Sequence, residues 1–149
     1  MALSIKPYIE NKERIHLIGI GGVSMNSLGE LLLSRGVPIS GSDRLRTDVT
    51  ARLEALGAKI TYEHKPENVE GASLIVRTAA VHDENPEIVR AHELGIPVME
   101  RAEAWGHLMR DYDNVVCLAG THGKTTSTSM MTLMTMEAQM DPTVMVGSN

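Results

Sequence analysis

The chain has 149 residues, a formal net charge of −5, a single cysteine and 42% apolar residues. That length holds one ordinary domain, or one plus a piece of another, with enough apolar content for a core. The acidic balance argues against a nucleic-acid or membrane surface, and the lone Cys117 excludes an internal disulfide.

Phenylalanine is absent and methionine occurs 10 times, so core volume must come from Leu, Ile, Val and Met. No signal-peptide pattern opens the chain and no apolar run is long enough to cross a bilayer, so the cytoplasm is the expected compartment. In chain order, Ile15 to Ile20 reads as a buried strand ending in glycines. Ser24 to Ser34 carries Met25, Leu28, Leu31 and Leu32 at helical spacing and is closed by Gly36. Val37 to Ser42 is a second strand, Asp48 to Leu56 a helix stopped by Gly57, and Ala58 to Tyr62 a third strand. Leu74 to Val76 is a short strand, Pro86 to Leu94 a helix with proline near its start and Gly95 after its end, Pro97 to Met99 a strand, and Arg101 to Met109 a helix. Short connections between alternating elements predict an α/β fold: a Rossmann-like parallel sheet with helices on both faces.

The polar stretch Arg110-Asp111-Tyr112-Asp113-Asn114 predicts a hinge, dividing the chain into 1–112 and 113–149. The second part reads as a strand at Val115 to Ala119, a glycine-rich loop, a helix and a last strand near Pro142 to Val146. It has the form of the first β-α-β of a P-loop domain. Such a unit buries too little surface to stand alone, so the chain is expected to be a piece of a longer protein. Met130, Met131, Leu133, Met134 and Met136 then form a core-facing helix surface, part of it exposed here. Cys117, in an apolar strand, is expected to be a buried structural thiol.

The loop Gly120-Thr121-His122-Gly123-Lys124-Thr125-Thr126 sits between a strand and a helix, as a phosphate-binding loop must. Its backbone N–H groups point at the phosphates of ATP, Lys124 supplies charge near the β- and γ-phosphates, and the Thr125 hydroxyl reaches Mg²⁺. Lys124 and Thr125 are therefore the candidate catalytic residues. Leu118 stands where the general pattern wants a glycine, so the match is to a narrower variant. A second glycine loop, Gly19-Ile20-Gly21-Gly22-Val23-Ser24, approximates the dinucleotide fingerprint. Ser24 replaces the third glycine and is small enough to pack closely and to act as an N-cap. Asp43, at the end of the second strand, stands where an acidic residue holds ribose hydroxyls. The loop alone does not separate a nicotinamide dinucleotide from a uridine diphosphate sugar.

Taken together, His16 to Met25, Ser40 to Asp43, Asn85-Pro86-Glu87, Ile96-Pro97-Val98, Arg101-Ala102-Glu103 and Ala119 to Thr126 resemble the Mur ligases of peptidoglycan synthesis, in the family's order and over nearly the whole chain. The resemblance implies a three-domain enzyme: a first domain for the UDP portion of UDP-N-acetylmuramate, a central domain for ATP and a third completing the amino-acid site. ATP would phosphorylate the lactyl carboxylate, and the amine of L-alanine would attack the acyl phosphate. Carried over by position, Gly21, Gly22, Val23 and Ser24 would meet the pyrophosphate. Asp43 would face the ribose or uracil, with His64, Thr78 and Ala79 beside the nucleotide. Arg77-Thr78-Ala79-Ala80 departs from the family's serine-rich turn, losing a hydroxyl and gaining a cation. His122 and the paired Gly21-Gly22 favour the alanine-adding member, and the member that attaches a murein tripeptide stays open. From other classes, an NAD(P)-binding oxidoreductase domain and a nucleotide-gated interaction module also stay open, the first separable by NADH fluorescence. The fragment is expected to bind UDP-sugars and turn over no ATP. Its oligomeric state is open, a dimer through an exposed strand edge at the C-terminal end included.

Overall fold

The computed structural model describes residues 3–146, which divide into two compact units, Met1–Tyr112 and Asp113–Asn149. The first is built on five parallel strands: β1 (Ile15–Ile18), β2 (Ile39–Ser42), β3 (Lys59–Thr61), β4 (Leu74–Arg77) and β5 (Val98–Glu100). They are ordered β3-β2-β1-β4-β5. β1 is central, with Ile15 to Ile18 paired to Ile39 to Ser42 on one side and to Leu74 to Arg77 on the other. A strand covered on both faces reads as a continuous apolar run, and all four residues of β1 are buried.

Helices α2 (Val23–Ser34), α3 (Asp48–Ala55) and α5 (Arg101–Met109) supply Met25, Leu28, Leu32, Leu53, Ala104 and Leu108 to one face. There they meet Ile15, Leu17, Leu74 and Val76. On the other face α4 (Pro86–Glu93) and a 3₁₀ turn at Pro66–Val69 bring Ile88, Ala91 and Val69 against Ile18 and Ile75. Each Leu, Ile, Val or Met side chain among them contributes about 1.5–3 kcal/mol when fully buried. Strand alternation places His16, between Ile15 and Leu17, on the α4 face. The predicted helices on both faces are thus present.

Local chemistry sets the helix ends. Thr47 and Thr50 form a reciprocal capping box at α3, and the Asn85 side chain accepts the Glu87 N–H at 2.9 Å with Pro86 in the first turn of α4. α2 begins one residue earlier than predicted: Gly22 is its N-cap and Ser24 its second residue, so Ser24 does not cap. A short helix not read from the sequence, α1 (Lys6–Glu10), adds Ile9 to the first core, together with Ile5 just before it. Five residues around a proline carry too little periodicity to announce it.

In the second unit α6 (Lys124–Glu137) forms as expected, but among the described residues no strand forms at Val115 to Ala119 or at Pro142 to Val146. A strand needs a neighbouring strand to pair with, and the second unit forms none among its described residues. For the same reason Cys117 is exposed rather than buried. α6 buries none of its residues, and Met130, Leu133, Met134 and Met136 are exposed. No helix of the described residues is long and apolar enough to cross a membrane.

Candidate functional site

The strand order turns back at β1, so a crevice opens beyond the C-terminal ends of β1 and β4, the position where open parallel sheets bind ligands. The glycine loop lies there. Gly19, at φ +79°, turns the chain out of β1, and its N–H and that of Ile20 both donate to the Ser42 carbonyl, at 2.8 and 3.1 Å. Gly22 N–H closes the turn on the Gly19 carbonyl at 3.1 Å. The Val23 and Met25 amides of the first turn of α2 have no intrahelical acceptor, and with the helix dipole they favour an anion.

Asp43 ties this loop to the end of β2. Its Oδ2 accepts the Gly21 N–H at 2.8 Å, and its Oδ1 accepts the N–H groups of Arg44 and Leu45 at 2.7 and 3.3 Å. A carboxylate offers about four lone-pair sites, so one remains for a ribose hydroxyl. Gly21 is held to glycine by this contact, since a Cβ there would lie 2.8 Å from Asp43 Oδ2.

A cleft of ≈ 790 Å³ adjoins Asp43, within the usual range for small-molecule sites. Asp43, Arg44, Leu45 and His64 line one part of it, and Ala80, Val81, His82 and Glu84 to Pro86 another. Of the residues expected at a nucleotide site, Asp43 and His64 therefore share this cleft. Thr78 lies against the glycine loop, its methyl 3.8 Å from where a Gly19 Cβ would stand, while Ala79 is exposed just after β4. Arg44, a cation in the cleft lining, was not singled out by the sequence.

Behind the cleft is a buried polar network that sequence reasoning missed. Glu87, on the first turn of α4, is fully buried. Its Oε1 accepts from His16 Nε2 at 3.1 Å and Asn68 Nδ2 at 2.8 Å, and its Oε2 from Ser42 Oγ at 2.7 Å and His64 Nδ1 at 2.6 Å. His16 Nδ1 lies 2.9 Å from Ser40 Oγ. Burial pushes the Glu87 carboxyl up, but the bonds from His16, Asn68, His64 and Ser42 together outweigh it and hold the group below its ordinary value. The signal was present as polar residues at alternate positions of apolar strands, His16 in β1 and Ser40 and Ser42 in β2, all on one face.

In the second unit Gly123 caps α6 at φ +76°, with open space around it. Lys124 curls back over the loop, its Nζ 2.5 Å from the Gly120 carbonyl and 3.4 Å from that of Thr121. Thr125 and Thr126 follow on the first turn of α6, and Gly120 to Thr126 are all exposed. The loop is thus a helix N-terminus with an exposed lysine folded across it, an arrangement compatible with an anion.

A five-stranded parallel sheet with helices on both faces, a glycine loop and a cleft at its C-terminal edge, followed in the chain by a second glycine loop at a helix mouth, defines a Rossmann-like α/β protein. The chain belongs to the Mur ligase family: the model described as Mur ligase family, catalytic domain, matches residues 14–113. It is similar to the UDP-N-acetylmuramate--L-alanine ligases of Clostridium novyi (strain NT), 46% identical over 140 residues, and Clostridium botulinum (strain Okra / Type B1), 48% identical over 143. These alignments cover 94% and 95% of this chain and 31% of each relative, so the chain spans about a third of their length. Among solved structures, the UDP-N-acetylmuramate-alanine ligase of Thermotoga maritima aligns with a TM-score of 0.85 at 35% identity, covering 91% of this chain and 32% of that one. The UDP-N-acetylmuramate:L-alanyl-gamma-D-glutamyl-meso-diaminopimelate ligase of Neisseria meningitides aligns at 0.84 and 26% identity, covering 92% and 43%.

Proposed function

We propose that this chain is the UDP-N-acetylmuramate-binding domain, residues 1–112, and the opening of the ATP-binding domain, residues 113–149, of an ATP-dependent ligase that joins L-alanine to the lactyl carboxylate of the sugar nucleotide. The observation that carries it is the Asp43 carboxylate, which joins the glycine loop to the cleft in one site. A diphosphate at the start of α2 and a nucleoside in the cleft would then both touch elements that Asp43 organises. What favours alanine over a tripeptide as the acceptor is the 46–48% identity to two alanine-adding relatives and, among the solved structures, 35% to an alanine-adding one against 26% to the peptide-adding one.

In the whole enzyme the lactyl carboxylate oxygen would attack the γ-phosphorus of ATP, releasing ADP. The alanine amine would then attack the acyl carbon, expelling phosphate and losing a proton. Lys124 would leave the Gly120 carbonyl for the β- and γ-phosphates and offset the charge of the transferred phosphoryl group. The Thr125 hydroxyl is the oxygen of this chain suited to Mg²⁺, and the described residues hold no cluster of three His, Cys, Asp or Glu. That donor set fits a cation that keeps water and takes its other oxygens from phosphates. When bound, Mg²⁺ supplies neutralisation of the phosphate charge.

Titration calorimetry of this chain tests the reading. Heat is expected on adding UDP-N-acetylmuramate, with no response to NADH and no ATP turnover. A folded sample that gives no heat with millimolar UDP-N-acetylmuramate overturns the proposal, and NADH binding in its place would point to an oxidoreductase domain.

A further inference from the structure

The geometry points to Glu87 as a positioning residue for His64: the buried carboxylate takes the His64 Nδ1–H, so that Nε2 is the ring atom left for a nucleoside hydroxyl or imide N–H in the cleft. This rests on the reading of that cleft as the UDP site. The argument is one of donors and acceptors. Glu87 is ionised and fully buried, and it is the acceptor for four side chains. Asn68 can donate only through its amide nitrogen, which also reaches the Glu63 carbonyl at 2.8 Å. Ser42 has one proton, directed at Oε2. His16 must donate from Nε2, which leaves its Nδ1 to accept from Ser40.

His64 Nδ1 lies 2.6 Å from Oε2 and 3.2 Å from Ser42 Oγ. A bare Nδ1 lone pair would face a carboxylate lone pair across the shorter distance, so the proton sits on Nδ1. In the neutral ring Nε2 then carries the lone pair. His64 keeps about a fifth of its side chain exposed and lines the cleft, whereas Glu87 touches no ligand space itself. The network therefore gives a loop histidine the orientation of a buried residue. It also assigns a polarity to that end of the cleft: an acceptor, suited to hydroxyl or imide hydrogens and unsuited to phosphate oxygens.

Two measurements on this chain test the proposal. Long-range ¹H–¹⁵N spectra of uniformly ¹³C,¹⁵N-labelled wild-type protein at about pH 8, above the ordinary histidine range, report the tautomer directly, with the His64 ring assigned through its own backbone resonances. A neutral ring protonated on Nδ1 is expected, and a proton on Nε2 overturns the proposal whether or not any variant folds. Calorimetry with UDP then closes a double-variant cycle. His64→Ala and Glu87→Gln should each weaken UDP by about tenfold, the worth of roughly one hydrogen bond. The double variant should be no weaker than His64→Ala alone. Additive losses, or His64→Ala binding like the wild type, overturn it, because a purely structural Glu87 would act equally without the histidine. If wild-type protein ignores UDP while His64 shows the Nδ1–H form, the nucleotide reading fails and the ring assignment stands.

Discussion

Asp43 Oδ2 accepts the Gly21 N–H at 2.8 Å, so an acidic residue at the end of β2 braces the loop that leaves β1. The same contact leaves no room for a side chain at Gly21, where a Cβ would also meet Thr50 Cγ2 at 3.2 Å. Gly21→Ala should displace the carboxylate and open the loop. Calorimetry with UDP-N-acetylmuramate is expected to show a loss of tenfold or more, an interaction on the order of 1.4 kcal/mol. Asp43→Ala should lose at least as much, because three backbone N–H groups lose their acceptor. Unchanged affinity in both would separate this pair from the binding site.

The Glu87 network predicts a pH dependence of stability. The group is held below its ordinary value of 4.5 by its hydrogen bonds, so its stabilisation is complete above that pH and is lost as pH falls through the lower folded value. Glu87→Gln should be less stable at pH 7 by about 1–3 kcal/mol, since an amide cannot accept from all four donors. Its denaturation midpoint should also vary less with pH below about 4.5 than that of the wild type. Parallel curves for the two proteins would show that the carboxylate does not carry the acid sensitivity.

Two glycines make a matched pair for thermal denaturation. A Cβ at Gly41, in β2, would stand 2.6 Å from Ile20 Cδ1 and 2.8 Å from the Leu17 carbonyl oxygen, a backbone atom that cannot swing away. Gly41→Ala is expected to cost roughly 1–3 kcal/mol or more. Gly106 lies inside α5 with nothing within 4 Å of such a Cβ. Gly106→Ala should therefore stabilise by about 0.5–1 kcal/mol. Equal midpoints would contradict the close packing of β2 on the loop after β1.

Cys117 is exposed, and no strand forms around it. Native protein should react with a thiol reagent as fast as denatured protein at the same pH, within a few-fold. Protection by orders of magnitude would mean that the segment is covered, as a strand in a sheet would be.

How much was legible follows the range of the interactions involved. The central strand, the helices on Met25 to Leu32 and Ile88 to Ala91, and both glycine loops show in residue type and spacing because their causes lie within a few residues. The strand at Val115 to Ala119 looked equally clear, yet its apolar residues need partners that the described residues do not supply. His64 was picked out only through family resemblance, whereas what holds its ring was not visible at all.

Local order therefore determined the alternation of strand and helix, the two helix-mouth loops and the family. Tertiary structure alone decided that α4 lies on the face of β1 opposite α2, which brings Glu87 to His16 across 71 positions and to His64 across 23. A carboxylate buried among four donors cannot be read from neighbours in the chain, because the energy that keeps it ionised comes from groups on three other segments meeting in one small volume.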